Sequence, residues 1–225
     1  MAEDVSREAD GPISGRFQRG SLEFDRVLFF SDAVFAIALT LLIVDVGIPT
    51  VKDPTSASSM LTALEESGPH LFAFFLGFVL IARYWAAHHR FCAHLNTVDG
   101  TFIQLNLAYL ALVAFLPFPT GLFGRYLDNP VSTGLFALVL AAVSGLEVVQ
   151  FIHARRAAQF TRTLSLPAFR FGLITSAVPV LVMLLSIPIA FVVTRWAPMF
   201  WLLIFPVEVL LERARPADLQ RGQVP

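Results

Sequence analysis

Asp32 closes the segment Arg26-Val-Leu-Phe-Phe30-Ser31-Asp32, and an apolar run broken only by Thr40 leads from it to Val44 and Asp45. An ionised carboxylate this close to hydrocarbon is expensive, so Asp32 must face protein or water and have a partner. Arg26 precedes it by six residues, which at about 100° per residue sets the two roughly 240° apart on a helix, so they do not pair as helical neighbours. Donors on other segments remain: Trp85 and His88, three residues apart and so on one helical face, and Asn106 further along. The plainer alternative puts Trp85 in an interfacial aromatic belt and leaves His88 solvated. An Asp and His inside a membrane can also form the relay of a proton- or cation-coupled transporter.

Beyond Asp32, Ile37, Thr40, Leu41 and Val44 recur at spacings of three, four and seven and share one stripe of a helix. Such a stripe serves helix packing or lines an axis. Asp45 lies about 20 Å from Asp32 along that helix, where it can attract cations, cap the helix or meet headgroups. Glu147 and Glu208 read as interfacial or paired acids, because His153, Arg155 and Arg213 lie within about two turns. No Walker loop, dinucleotide glycine fingerprint, Gly-x-Ser-x-Gly elbow or His-Glu-x-x-His is present, so enzymatic catalysis has no foothold.

The elements that must position these residues follow from composition. The 225 residues are 56% hydrophobic and 15% charged, with a mean hydropathy of +0.69, which an ordinary soluble surface does not tolerate. A hydrocarbon layer of about 30 Å takes roughly 20 helical residues, and runs of about that length fall near 27–48, 70–91, 101–122, 131–153, 170–193 and 196–211. The fold class expected is all-α, a polytopic membrane protein of six transmembrane helices, the last short and closely joined to the fifth. Residues 1–26 read as a mobile cytoplasmic tail, 27–211 as the membrane domain, and 212–225 as a second cytoplasmic tail. The longest loop outside the membrane runs from Pro49 to Pro69.

Cations fall on one side of this arrangement. Arg7, Arg16, Arg19, Arg26, Arg90, Arg155, Arg156, Arg162, Arg170, Arg213, Arg215 and Arg221 share it, against Lys52, Arg125 and Arg195 on the other. Short cytoplasmic loops retain Lys and Arg, so both termini are expected in the cytoplasm of a multi-pass protein of the cell (plasma) membrane. The single cysteine, Cys92, excludes an intramolecular disulfide.

With these residues in place, Arg26-x-x-x-Phe30-Ser31-Asp32 followed by an apolar helix resembles the signature of the endosomal and lysosomal potassium channel family, the transmembrane protein 175 family. Trp85-x-x-His88-His89, Asn106 and Leu116-Pro117-Phe118-Pro119 extend the resemblance over about the first 120 residues. It implies a potassium channel in which the first helix lines the pore, the signature residues hold that helix, and Ile37 forms a narrow hydrophobic constriction. One copy of the signature implies a single-repeat homotetramer in contact with membrane lipids. No Thr-Val-Gly-Tyr-Gly filter is present, so selectivity must arise elsewhere. Thr40 hydroxyls are the expected contributors, with Asp45 attracting cations at the mouth. No cofactor, metal, nucleic acid or soluble ligand-binding domain is expected, and potassium is the permeant species.

Overall fold

A computed structural model describes residues 15–213. The first helix, α1 (Leu22–Val46), begins about a turn and a half before the apolar run does, because Ser21 caps it. The Ser21 hydroxyl accepts the Phe24 N–H at 3.3 Å, and Glu23 and Asp25 occupy the first turn, where the helix dipole favours acids. The loop expected from Pro49 to Pro69 contains a further helix, α2 (Ala57–Glu66), capped by Ser56. Four long helical stretches follow. They are α3 (Gly68–Ala93), the pair α4 (Gly100–Phe115) and α5 (Pro117–Arg125), then α6 (Pro130–Arg156) and α7 (Leu166–Val192). Leu116 keeps helical dihedrals between α4 and α5; the missing N–H groups of Pro117 and Pro119 interrupt the ladder.

Five of these stretches are long and apolar enough to cross a membrane: 22–46, 68–93, 100–125, 130–156 and 166–192. The protein is an all-α, multi-pass membrane protein, but the sixth span expected over 196–211 is corrected. Among the described residues that stretch divides into a 3-10 turn (Thr194–Trp196), α8 (Ala197–Trp201) and α9 (Ile204–Arg213). Pro198 and Pro206 supply no backbone donor, and the ten residues of α9 reach only about 15 Å at about 1.5 Å each. Trp201 nevertheless anchors the segment: its indole N–H donates to Ser186 Oγ of α7 at 2.9 Å, and its ring meets Phe123 and Phe136.

α1 packs against α3, α4 and α5, α4 packs against α6, and the most extensive interface joins α6 to α7. Small residues let α3 and α5 approach closely, as in other membrane interfaces. A Cβ added to Gly77 would lie 2.7 Å from the Thr120 methyl, and one added to Gly124 would lie 2.8 Å from Ala73 Cβ. The main core lies along these contacts, from Phe35, Ala38 and Leu42 to Leu140 and Met183.

The tail expected to be mobile over residues 1–26 is corrected from Arg16 onward. β1 (Arg16–Gln18) pairs antiparallel with β2 (Thr97–Asp99), matching Arg16 to Asp99 and Gln18 to Thr97. Arg19 donates through Nη1 to Ala93 O at 2.8 Å, satisfying a carbonyl at the end of α3. The α6–α7 connection joins the same cap through Asn96 N–H to Gln159 O at 2.7 Å and Thr161 N–H to His94 O at 2.9 Å. Beneath it, Phe24, Cys92, Leu95, Val98, Phe102 and Ala154 form a second buried cluster. Residues 1–14 and 214–225, with Arg7, Arg215 and Arg221 and most of the expected C-terminal tail, lie outside the described residues.

Asp99 fastens this cap twice. It accepts the Phe102 N–H at 2.7 Å, capping α4, and meets His153 Nε2 of α6 at 2.9 Å. Burial pushes its carboxyl up, but the Phe102 N–H and His153 outweigh burial and hold it below the usual carboxylate range. A depressed folded-state value stabilises the fold above the unfolded value of about 3.9, and that stability is lost as pH falls through the folded value. Acid titration should therefore show no loss from Asp99 until below about pH 4. Because Asn keeps a cap and Ala does not, Asp99→Ala should destabilise by about 1 kcal/mol more than Asp99→Asn in denaturant melts at pH 7.

Candidate functional site

α1 divides its residues between two faces. Phe24, Ser31, Phe35, Ala38 and Leu42 are buried against the bundle. Ile37 and Val44 stand two residues beyond Phe35 and Leu42, roughly 200° around the helix, and are 58% and 70% exposed, with Leu41 at 45%. Thr40 belongs to the same open face, and its hydroxyl donates to Ile37 O at 2.8 Å, which leaves the oxygen lone pairs directed away from the helix ladder. The four residues of the sequence stripe thus occupy the uncovered side of α1.

The packed side is fixed by a chain of polar contacts. Ser31 donates to Val27 O at 2.8 Å within α1, and accepts from Asn106 Nδ2 of α4 at 2.9 Å. Asn106 Oδ1 lies 2.9 Å from His88 Nε2 of α3. Since the amide nitrogen already donates to Ser31, Oδ1 must accept, and the pattern assigns the proton of His88 to Nε2. The His88 ring stacks on Tyr109 at 5.4 Å between centroids and 9° between planes, and Phe35 closes against both. Tyr109 then donates to Glu147 Oε1 of α6 at 3.0 Å.

Asp32 forms a separate branch, accepting the Trp85 indole N–H at 2.9 Å. Of the three donors expected for Asp32, Trp85 serves it, while Asn106 donates to Ser31 and His88 pairs with Asn106. His88 is 4% exposed, which removes the solvated alternative, and no hydrogen bond among those described joins Asp32 to His88. Arg26 and Phe30 lie on the exposed side of α1 and take no part in these bonds. Buried hydrogen bonds of this kind hold a helix at one rotation and height, because sliding it leaves each partner unpaired.

Asp45 is exposed at the opposite end of α1 and leans on α5: a Cβ added to Gly121 would lie 2.6 Å from its Oδ2. His70 and Arg125 line the same cleft of about 180 Å³. The arginine therefore offsets part of the carboxylate's field in this cleft.

Tyr84, Tyr109 and Ser144 belong to the polar framework and were not singled out in the sequence. Tyr84 OH lies 2.7 Å from Ser144 Oγ and 3.2 Å from Leu140 O, tying α3 to α6. Arg83 sits in the α3 span with its guanidinium 5.7 Å from the Tyr84 ring centroid. Their residue types were the available signal, since a tyrosine or arginine inside a membrane span must find a polar or aromatic partner.

Known proteins resemble this chain in sequence and in fold. The family profile described as the endosomal/lysosomal potassium channel TMEM175 matches residues 26–117, the stretch that holds the α1, α3 and α4 members of the network. A potassium channel of Streptomyces collinus is 33% identical over 175 residues, covering 76% of this chain and 84% of that protein. A potassium channel of Chamaesiphon minutus is 34% identical over 125 residues, 54% of this chain and 61% of that protein. The endosomal/lysosomal proton channel TMEM175 of Bos taurus is 40% identical over 101 residues, which span only 21% of its length. In fold, the chain superposes on a crystal structure of a lysosomal potassium-selective channel TMEM175 homolog from Chamaesiphon minutus with a TM-score of 0.71 at 23% identity, covering 86% of this chain and 98% of that one. A potassium channel MtTMEM175 variant bound to a nanobody fusion gives 0.60 at 19% identity, covering 91% and 98%. A relative at 33% identity across most of both chains, the profile match through the network and the shared fold together make this chain a member of the TMEM175 family of ion channels.

Proposed function

We propose that the protein is a potassium-selective channel of the cell membrane that conducts passively through a pore lined by α1 of each subunit in a homotetramer. The observation that carries this reading is the division of α1. Its packed face is pinned through Ser31, Asn106 and His88, while Ile37, Thr40, Leu41 and Val44 remain uncovered on the other. A helix held rigidly on one side is suited to present a fixed ring of side chains on the other. Around an axis, Ile37 supplies an apolar constriction that resists hydration, and the Thr40 lone pairs supply oxygens to a partly dehydrated cation. Lys52 and Arg125 lie at one end of the bundle and most arginines at the other, which supports cytoplasmic termini under the positive-inside rule.

The names of the relatives give the decisive experiment two arms, potassium and protons. Purified protein in planar bilayers, with potassium on one side and sodium on the other at equal pH, should reverse near the potassium equilibrium potential. Reversal that follows a proton gradient instead, or uptake without channel current that disappears in Asp32→Asn, would overturn the proposal in favour of proton permeation or coupled transport. Thr40→Ala should move the mixed-ion reversal potential toward zero; an unmoved reversal potential would remove Thr40 from the selectivity mechanism. Asp45→Asn should lower conductance modestly in dilute salt and have no effect at high salt, where its field is screened.

A further inference from the structure

Behind the polar framework, on the side away from α1, a cavity of about 250 Å³ lies between α3, α6 and α7. Its wall includes His88, Glu147, Gln150, Phe151, Phe171 and Gly172. We propose that this cavity is a binding site for a small, neutral, largely aromatic molecule carrying one hydrogen-bond acceptor. The existence of the site does not rest on the channel reading.

The shape is held open by rings that cannot easily collapse into it. Phe151 stacks on Phe169 at 5.4 Å and 10° and sits tightly over Gly172, where an added Cβ would come within 2.7 Å of its ring. Phe160, from the α6–α7 connection, meets Phe151 edge-on at 5.7 Å and also lines the cavity. A space bounded by aromatic faces and of this size approaches the lower range of small-molecule pockets, about 300 Å³.

Chemistry in the wall selects the ligand. Gln150 is 1% exposed, and its amide nitrogen has no hydrogen-bond partner among the described residues. A buried donor left unpaired costs about 1–3 kcal/mol, so an occupant that presents an acceptor gains what the empty wall lacks. Glu147, in the same wall and already accepting from Tyr109, disfavours an anion such as a fatty-acid carboxylate. Filling the space with water is the poorer solution: at about 30 Å³ each the volume suits roughly eight waters, each requiring about 2–4 polar partners, against a wall of fourteen residues of which six are polar, His88, His94, Glu147, Gln150, Thr175 and Ser176. His88 belongs both to this wall and to the bonds that reach Ser31 on α1, so an occupant would touch the framework of α1 directly.

Benzophenone fits the stated chemistry, being a neutral diaryl ketone, and light makes it insert into nearby C–H bonds. Irradiated with the purified full-length protein, it should label peptides containing Phe151, Leu164 and Phe171 saturably, and non-photoreactive benzanilide should compete. Gln150→Leu, which removes the unpaired donor without emptying the cavity, should raise the half-saturating concentration about five- to tenfold. Competition by diphenylmethane, which has no acceptor, should be unchanged by that variant. Ala168→Leu, filling the space from α7, should reduce saturable labelling independently. Labelling that grows linearly with concentration and spreads over the lipid-facing helices, or equal affinity in wild type and Gln150→Leu, would overturn the proposal. So would a co-purified lipid, found by native mass spectrometry, whose removal is required for labelling. Channel currents are measured separately, so that their absence would count against the proposed function and not against this site.

Discussion

Ile37→Asn should raise single-channel current about tenfold, because removing even about 1.4 kcal/mol from a dehydration barrier changes a rate by that factor. The expected constriction is apolar, and its resistance comes from the free energy of hydrating a narrow hydrocarbon ring; an amide at the same place stabilises water and ion together. The substitution should leave folding nearly untouched, since Ile37 is 58% exposed on α1 and faces away from the Phe35, Ala38 and Leu42 contacts. Surface changes of that kind stay within about 0.5 kcal/mol. Ile37→Val, which keeps the ring apolar, serves as the control and should change current far less. Recording both in planar bilayers decides the matter: wild-type current from Ile37→Asn would place the narrow point elsewhere on the stripe.

The second large effect belongs to the packed face. Asn106→Leu should destabilise the protein by about 2–4 kcal/mol, since it removes both hydrogen bonds and leaves the His88 N–H buried without an acceptor. The lower part of that range reflects the modest net value of hydrogen bonds inside membranes, about 0.6 kcal/mol on average. Ser31→Ala should cost less, about 1 kcal/mol, because Asn106 retains His88. Their double variant should fall short of the sum, as residues in one hydrogen-bond network do. Unfolding in detergent measures all three. An Asn106→Leu protein within about 0.5 kcal/mol of wild type would mean that this network does not hold α1.

These two residues mark how far the sequence alone carries the site. Ile37 and its stripe were legible because helical period is a local property: spacings of three, four and seven put side chains on one face whatever surrounds the helix. The framework was legible by type, since Asp32, Trp85, His88 and Asn106 are groups a membrane does not leave unpartnered. Its wiring was not. Asp32 takes Trp85, and its neighbour Ser31 becomes the anchor for Asn106. That choice depends on Å-scale distances between helices separated by many residues, and such distances leave no trace in spacing along one chain.

The sequence by itself determined the class of the protein, because transfer of apolar side chains into hydrocarbon sums over each run independently of the others. It also determined which residues of α1 share a face and the residue types available to satisfy its polar groups. Tertiary structure alone decided the rest. Ser21 moved the start of α1 to Leu22 because hydropathy registers side-chain transfer and not the satisfaction of terminal N–H groups. Two prolines left α8 and α9 too short to span although their composition is apolar. Arg16–Gln18 found Thr97–Asp99 across the whole length of two helices, a pairing that exists only once α1 and α3 have packed side by side and brought their ends together.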